Sequence, residues 1–164
     1  MGLTFPHAGM MTGQWAPEAM PKPLVEDQAI YRRALDAVRK VPAPSRPEGK
    51  AYVQYWTARL EFAVQYFDAI DAVKKGATAE KAARDAKQKG DDRAYRAKLA
   101  DAIQYAKAAH AAAFHAIDTY AAVAKNRADA GAVATMAEYV CRQLNRKIEA
   151  LRAEHDKANR IPGQ

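Results

Sequence analysis

The chain has 164 residues, a net charge of +7 and a hydrophobic fraction of 49%. This length and apolar content suffice for one domain with a buried core, which excludes global disorder. The single cysteine, Cys141, excludes an intramolecular disulfide, and the basic residues are mixed with acidic ones rather than grouped in the one-signed patch typical of nucleic-acid binding.

The first 23 residues predict an extended arm. They lack helical periodicity and contain four prolines, Pro6, Pro17, Pro21 and Pro23. Because the arm also carries Phe5 and Trp15, we expect it to lie over the chain's own helices or over a partner. No signal peptide is visible in it, which leaves the localisation open. The predicted organisation is thus an arm, 1–23, followed by one helical-bundle domain, 24–164.

A first helix is predicted over 24–41, and the prolines of PAPSRP (42–47) end it. A second is predicted over 48–75, ending at Gly76. Its aromatic and aliphatic residues form two neighbouring heptad stripes, which indicates a central helix whose rings point inward rather than a platform for sugars or bases. One stripe consists of Val53, Trp56, Leu60, Ala63, Phe67 and Ile70; the other of Tyr52, Tyr55, Arg59, Phe62, Tyr66, Ala69 and Val73. The segment 77–92 is predicted as a weak exposed helix or a connector.

The longest helix is predicted over 91–125, with an alanine line where another helix crosses closely and with Asn126 as its C-cap. A last long helix is predicted over 129–158. No segment alternates with the period of a strand, and no apolar run has the length of a membrane span. The predicted fold class is all-α: an up-and-down antiparallel bundle of three long helices plus one or two short helices, with an extended N-terminal arm.

No motif assigns a chemical activity, so no residue is predicted as catalytic, cofactor-binding or metal-binding. His110 and His115 are five positions apart and do not share a helix face, and no Cys-x-x-Cys pair is present. Cys141 lies in an apolar run, as a buried thiol does. Glu61 is flanked by large apolar residues, and we expect it to lie on a polar strip or to pair with Arg59 or with a base of another helix.

Two segments, AYVQYWTARLEFAVQYFDAIDAV (51–73) and RADAGAVATMAEYVCRQL (127–144), follow one another in a familiar order. They resemble the C-terminal all-helical region of large bacterial glycoside-hydrolase-like proteins of the DUF4838 type, which also carry a family-20-like barrel. The resemblance covers about residues 50–150. It implies a helical support that packs on a barrel or a neighbouring subunit, with the catalytic acids on the barrel and none on this chain.

Three functional hypotheses follow. The leading one is a non-catalytic helical interaction or support module without a cofactor, whose partner is a protein: another domain, a subunit or a second copy that contacts the 1–23 arm. The second is a small basic helical protein that binds nucleic acid or another polyanion, which is less favoured. The third is an enzyme or ligand carrier with a pocket between the arm and the helices.

Overall fold

A computed structural model describes residues 15–160. Its helices are α1 (Lys22–Arg39), α2 (Pro47–Gln88), α3 (Asp92–Ala121), α4 (Arg127–Met136) and α5 (Arg142–Arg160), and a π-helical turn, Ala137–Cys141, joins α4 to α5. Over these residues there is no strand. The all-α bundle is therefore confirmed, with α2, α3 and the α4–α5 unit as its three long members.

Contacts between the helices define an up-and-down order. Tyr31 of α1 packs on Phe67 of α2, whereas the later residue Leu35 clusters with the earlier residue Leu60, so α1 and α2 are antiparallel. Phe62 of α2 meets Tyr120 at the end of α3, and the later Ala83 clusters with Tyr95 at its start. The α5 helix then returns along α3, since Glu154 bonds to Tyr95.

The α3 alanine line is buried along its whole length. Its members have 0% exposure and lie one or two turns apart: Ala102, Ala106, Ala109, Ala113 and Ala116. Small side chains at these spacings allow the backbone of a neighbouring helix to approach closely. The prediction of a close crossing at this line is consistent with this burial.

The prediction that α2 ends at Gly76 is wrong, because the helix continues through 77–88 and, at 42 residues, is longer than α3. The segment 77–92 looked exposed because it lacks large apolar residues. However, Ala79 and Ala83 are buried against α3 and α5, so small side chains supply the packing. The helix ends instead at Gln88, and the chain turns at Gly90, whose φ is +73° and whose neighbour Asp91 donates its N–H to Ala86 O.

The role predicted for Asn126 is also wrong. It precedes α4 and caps the start of that helix, where its Oδ1 accepts a hydrogen bond from the Asp129 N–H at 3.0 Å. The α3 helix has already ended at Ala121. Asn is favoured as an N-cap because its short side chain reaches the unpaired N–H groups of the first turn.

The inward orientation of the α2 rings is confirmed over most of the helix. Leu60, Phe62, Tyr66 and Phe67 are all at most 8% exposed. It is wrong for Tyr52, which is 65% exposed. The apolar cluster between α1 and α2 is centred on Leu60 and Val64, so α1 does not cover the first turns of α2.

Alanine substitutions at Gly90 and Gly131 test the effect of backbone conformation on stability without a change in packing. A Cβ at either position would meet no atom within 4 Å, but only Gly90 has a positive φ. We expect Gly90→Ala to lower the free energy of unfolding by about 1–2 kcal/mol. Gly131→Ala, in an exposed helical position, should raise it by roughly 0.5–1 kcal/mol. Urea denaturation of the two variants checks this, and equal effects at both positions would contradict it.

Candidate functional site

Residues 15–20, here called the strap, are held on α2 by a tryptophan seated against a glycine. A Cβ built on Gly76 would lie 2.7 Å from Cη2 of Trp15, so no larger residue at position 76 is compatible with this seating. Gly76 therefore does not end the helix but allows the indole ring to lie directly on the helix backbone. We call Gly76, Glu80 and Lys147 the Trp15 socket.

Glu80 supplies the polar half of the Trp15 socket. It is only 5% exposed, and its carboxylate accepts hydrogen bonds from Trp15 Nε1 at 2.7 Å and from Arg84 at 2.5 Å. Lys147 of α5 lies 2.7 Å from the same carboxylate, and its Nζ is 5.0 Å from the centroid of the Trp15 ring. The indole thus combines a hydrogen bond with a cation–π contact.

The charge of Glu80 is stabilised despite its burial. Burial by itself would raise the pKa of the carboxyl, but the hydrogen bonds from Lys147, Trp15 and Arg84 outweigh it, and the pKa is lowered. A buried carboxylate of this kind holds its donors in place because breaking one contact would leave a desolvated charge.

A second ion pair fixes the other end of the strap. Lys74, whose side chain is 2% exposed, lies 2.6 Å from Glu18.

Between the strap, α2 and α3 is a cavity of about 570 Å³, the kind of pocket that the enzyme-or-carrier hypothesis placed there. Its charged lining residues pair with one another as Lys74–Glu18, Lys75–Asp71 and Lys98–Asp101.

A separate groove opens at the other end of α2. It has a volume of about 530 Å³ and is lined by the first turns of α2 and by the turn between α3 and α4. Its lining contains the rings of Tyr52, Tyr55 and Trp56 and the polar side chains of Glu48, Lys125, Asn126 and Asp129. We call it the aromatic groove. Trp56 has a buried Nε1–H that meets no acceptor within residues 15–160.

The base of the aromatic groove is a cluster of rings and charges. The Arg59 guanidinium donates to Tyr55 Oη at 2.7 Å and lies within 5.7 Å of the Trp56 and Tyr120 ring centroids. Tyr120 donates a short hydrogen bond to Asp129. That bond is the main cause of the lowered pKa of Asp129, with help from the Lys125 N–H, while burial raises the pKa of Tyr120. These contacts fix the turn that carries Lys125.

The polar strip of α2 carries carboxylates that serve as ion-pair partners, among them Glu61, which was singled out in the sequence. Glu61 pairs with Arg39 of α1 at 3.2 Å, so the expected pairing with a base of another helix is confirmed, and the base is not Arg59. His115 Nε2 lies 3.8 Å from the same Glu61 carboxylate. Asp68 accepts from Arg32 at 2.5 Å. These pairs connect α1 and α3 to α2 along its polar strip.

Cys141 and the histidines have ordinary structural surroundings. Cys141 is buried, and burial raises the pKa of its thiol to about 11, which keeps it protonated and apolar as expected. His110 stacks on Phe114, with 6.3 Å between ring centroids. Among residues 15–160, no group of three or more His, Cys, Asp or Glu side chains could hold a metal ion.

Comparison of the chain with protein-family models, with curated proteins and with solved structures gives no match. In the part of the chain that the structure describes, no helix combines the length and the apolarity needed to cross a membrane. The Trp15 socket and the aromatic groove are therefore the features from which a function can be inferred. Sequence reasoning identified Trp15 as a contact residue but missed the socket, since its members are distant in sequence.

We expect Gly76→Ala to release Trp15. Its Cβ would overlap the indole ring, and the strap can move away at less cost than the helix backbone. In a Trp56→Phe background, where Trp15 is the remaining tryptophan, emission should shift to the red and acrylamide quenching should increase. Gly131→Ala in the same background is the matched control and should change neither signal. If Trp15 in Gly76→Ala kept the emission wavelength and the quenching of a buried tryptophan, the close contact between Trp15 and Gly76 would be contradicted.

Acidification should also release the strap. Folding lowers the pKa of Glu80 below its ordinary value of 4.5. The stability that Glu80 contributes to the bound strap is therefore present above pH 4.5 and is lost as the pH falls through the folded pKa. We expect Trp15 quenching in the Trp56→Phe background to increase below about pH 4.5. In Glu80→Gln this pH dependence should be absent. Persistence of the same acid transition in Glu80→Gln would assign it to another carboxyl.

Proposed function

We propose that this chain is a non-catalytic helical interaction module that binds an extended protein segment through a tryptophan anchor. The observation that supports this is the Trp15 socket, in which a segment without regular structure is bound by side chains of the bundle. In the present structure the bound segment is the chain's own strap.

The bundle supplies all three residues of the Trp15 socket, and they come from two helices. Gly76 and Glu80 belong to α2 and Lys147 belongs to α5, whereas the strap contributes Trp15 and Glu18. Lys74, the partner of Glu18, is nearly inaccessible, so its charge would be left without that carboxylate if the segment departed. Departure of the strap would give up this ion pair together with the contacts of Trp15, which favours an occupied socket.

The titratable groups support a binding role over a catalytic one. A general acid needs a pKa raised toward neutrality, but the pKa of Glu80 and that of Asp129 are lowered by their hydrogen bonds. The charged side chains around the cavity beside the strap are engaged in ion pairs. The absence of catalysis stays a prediction on these grounds.

The likeness to the C-terminal helical region of DUF4838-type proteins remains part of this proposal. An all-helical bundle with a tryptophan-anchored segment on its surface is compatible with a support that packs on another domain. A partner of that kind would present an extended stretch to the same face of α2 and α5.

The proposal is tested with a peptide in trans. The full-length Trp15→Ala, Trp56→Phe variant contains no tryptophan, so a peptide of residues 9–21 reports its own binding through its Trp15 emission. We expect a blue shift and saturable binding. A second chain, Trp56→Phe, keeps Trp15 and so keeps its own strap in the socket. It should bind a fluorescein-labelled copy of the peptide roughly tenfold more weakly than the tryptophan-free chain does, because a tethered strap competes at an effective concentration in the ~mM range.

Two controls make the result specific. A peptide with Trp15→Ala should not bind, and Lys147→Ala in the tryptophan-free chain should weaken binding by removing the cation–π and charge contacts. Equal affinity of the labelled peptide for the chain with and without Trp15 would place its binding outside the Trp15 socket and would contradict the proposed function.

A further inference from the structure

The strap contacts α2 at two fixed points that differ in chemistry. The first is the Trp15 socket, where the indole lies on Gly76 and donates its Nε1–H to Glu80 at 2.7 Å. The second is the Nζ atom of Lys74, which lies 2.6 Å from the carboxylate of Glu18. Lys74, Gly76 and Glu80 belong to the same helix, so the distance between the two points is set by the helix and not by the segment that binds.

The Trp15 socket distinguishes tryptophan from the other aromatic residues. Glu80 is buried, and its carboxylate accepts from the indole Nε1–H as well as from Arg84 and Lys147. Phenylalanine has no polar atom, and the tyrosine hydroxyl extends from the tip of its ring instead of lying on its edge. Tryptophan is also the ring that attracts a cation such as Lys147 most strongly.

Lys74 selects an acidic residue in the bound segment. Its side chain is 2% exposed, and among residues 15–160 Glu18 is the only carboxylate within ion-pair distance of its amine. Glu18, Ala19 and Met20 line the same cavity as Lys74, so the bound strap lies beside this amine. A segment with a neutral residue in place of Glu18 would leave the nearly inaccessible ammonium group without a counter-charge, which opposes the binding of that segment.

The spacing between Trp15 and Glu18 is set by a tight turn in the strap. The Glu18 N–H donates to Ala16 O at 2.8 Å, a hydrogen bond that closes a three-residue turn around Pro17. The proline ring holds φ close to the value that the central residue of such a turn requires. With this turn, the third residue after the tryptophan is the one that reaches Lys74.

We propose that the Trp15 socket and Lys74 together bind a segment of another protein in which glutamate follows tryptophan three residues later. This inference rests on the proposed function and adds the sequence that the bound segment carries. Of the two tryptophans in the chain, Trp15 has this pattern, whereas Trp56 is followed three residues later by Arg59. The strap is thus the chain's own copy of the ligand, and it occupies the site until a partner segment displaces it.

The strap of a second copy is not the expected occupant. Residues 16–21 join Trp15 directly to α1, whose Tyr31 packs on Phe67, so the strap is present at its site at an effective concentration in the ~mM range. An identical strap on another molecule makes the same contacts without this advantage. A segment that displaces the strap needs further contacts outside the two fixed points, which a different protein can supply.

The test uses a full-length chain with Trp15→Ala and Glu18→Ala, whose strap competes for neither point, and fluorescein-labelled peptides of residues 9–21. We expect the unaltered peptide to bind, as measured by fluorescence anisotropy. Its isomer with Glu18→Ala and Ala19→Glu has the same composition and charge and should bind roughly tenfold more weakly. A peptide with benzothienylalanine at position 15, which keeps the ring shape but has sulfur in place of the N–H, should also bind roughly tenfold more weakly.

A matched change on the bundle assigns the effect of the glutamate to Lys74. Lys74→Met replaces the amine by an apolar side chain of similar length, a kind of change that buried positions tolerate. In this background the two isomeric peptides should bind equally. In Lys75→Met, which removes the same charge from an exposed neighbouring position, the tenfold difference should remain. Circular dichroism should show the same helix content in all of these chains.

Three results would overturn this inference and leave the proposed function intact: equal binding of the two isomers, equal binding of the benzothienylalanine peptide, or a difference between the isomers that persists in Lys74→Met. Failure of the unaltered peptide to bind would contradict the proposed function and this inference with it. A dimer of the unaltered chain that is lost in Trp15→Ala would assign the site to a second copy and would also overturn the inference. Analytical ultracentrifugation of the two chains decides that last point.

Discussion

The close approach of α2 to α3 is the constraint on which the other features depend. It requires small side chains over a long distance, and the α3 alanine line together with Ala79 and Ala83 of α2 provides them. Larger rings such as Phe62 and Tyr120 pack between the two helices near the end of α3. Without this pairing, a 42-residue α2 would have no partner for most of its length.

The second feature of the bundle is that its buried charges connect different elements of the chain. Glu80 joins the strap, α2 and α5, and Asp129 joins the end of α3 to the start of α4. In each case several donors converge on one carboxylate and lower its pKa. Such groups favour one arrangement of the chain because alternative packings would leave a desolvated charge without its donors.

The unequal lengths of α1 and α2 decide which parts of α2 lie next to irregular chain. The apolar cluster between α1 and α2 is centred near Leu60, which leaves the earlier rings of α2 at the aromatic groove and the later small residues at the strap. The first turns of α2 and its stretch around Gly76 thus meet irregular chain rather than α1. The stretch around Gly76 accommodates the chain's own tryptophan, and the first turns present aromatic rings beside Lys125.

The sequence by itself determined the class of fold, the approximate helices and the inward position of Phe62, Tyr66 and Phe67, because heptad spacing fixes which side chains share a face. It misplaced the end of α2 for two reasons. Glycine generally disfavours helix, so Gly76 was taken as the end, and the alanines at 77–88 are too small to give a clear hydrophobic pattern. Only the tertiary structure brought Trp15, Glu80 and Lys147 together and placed Lys125 in the same groove as Tyr52. Those proximities arise from helix crossings between residues far apart in the chain, and local periodicity contains no information about them.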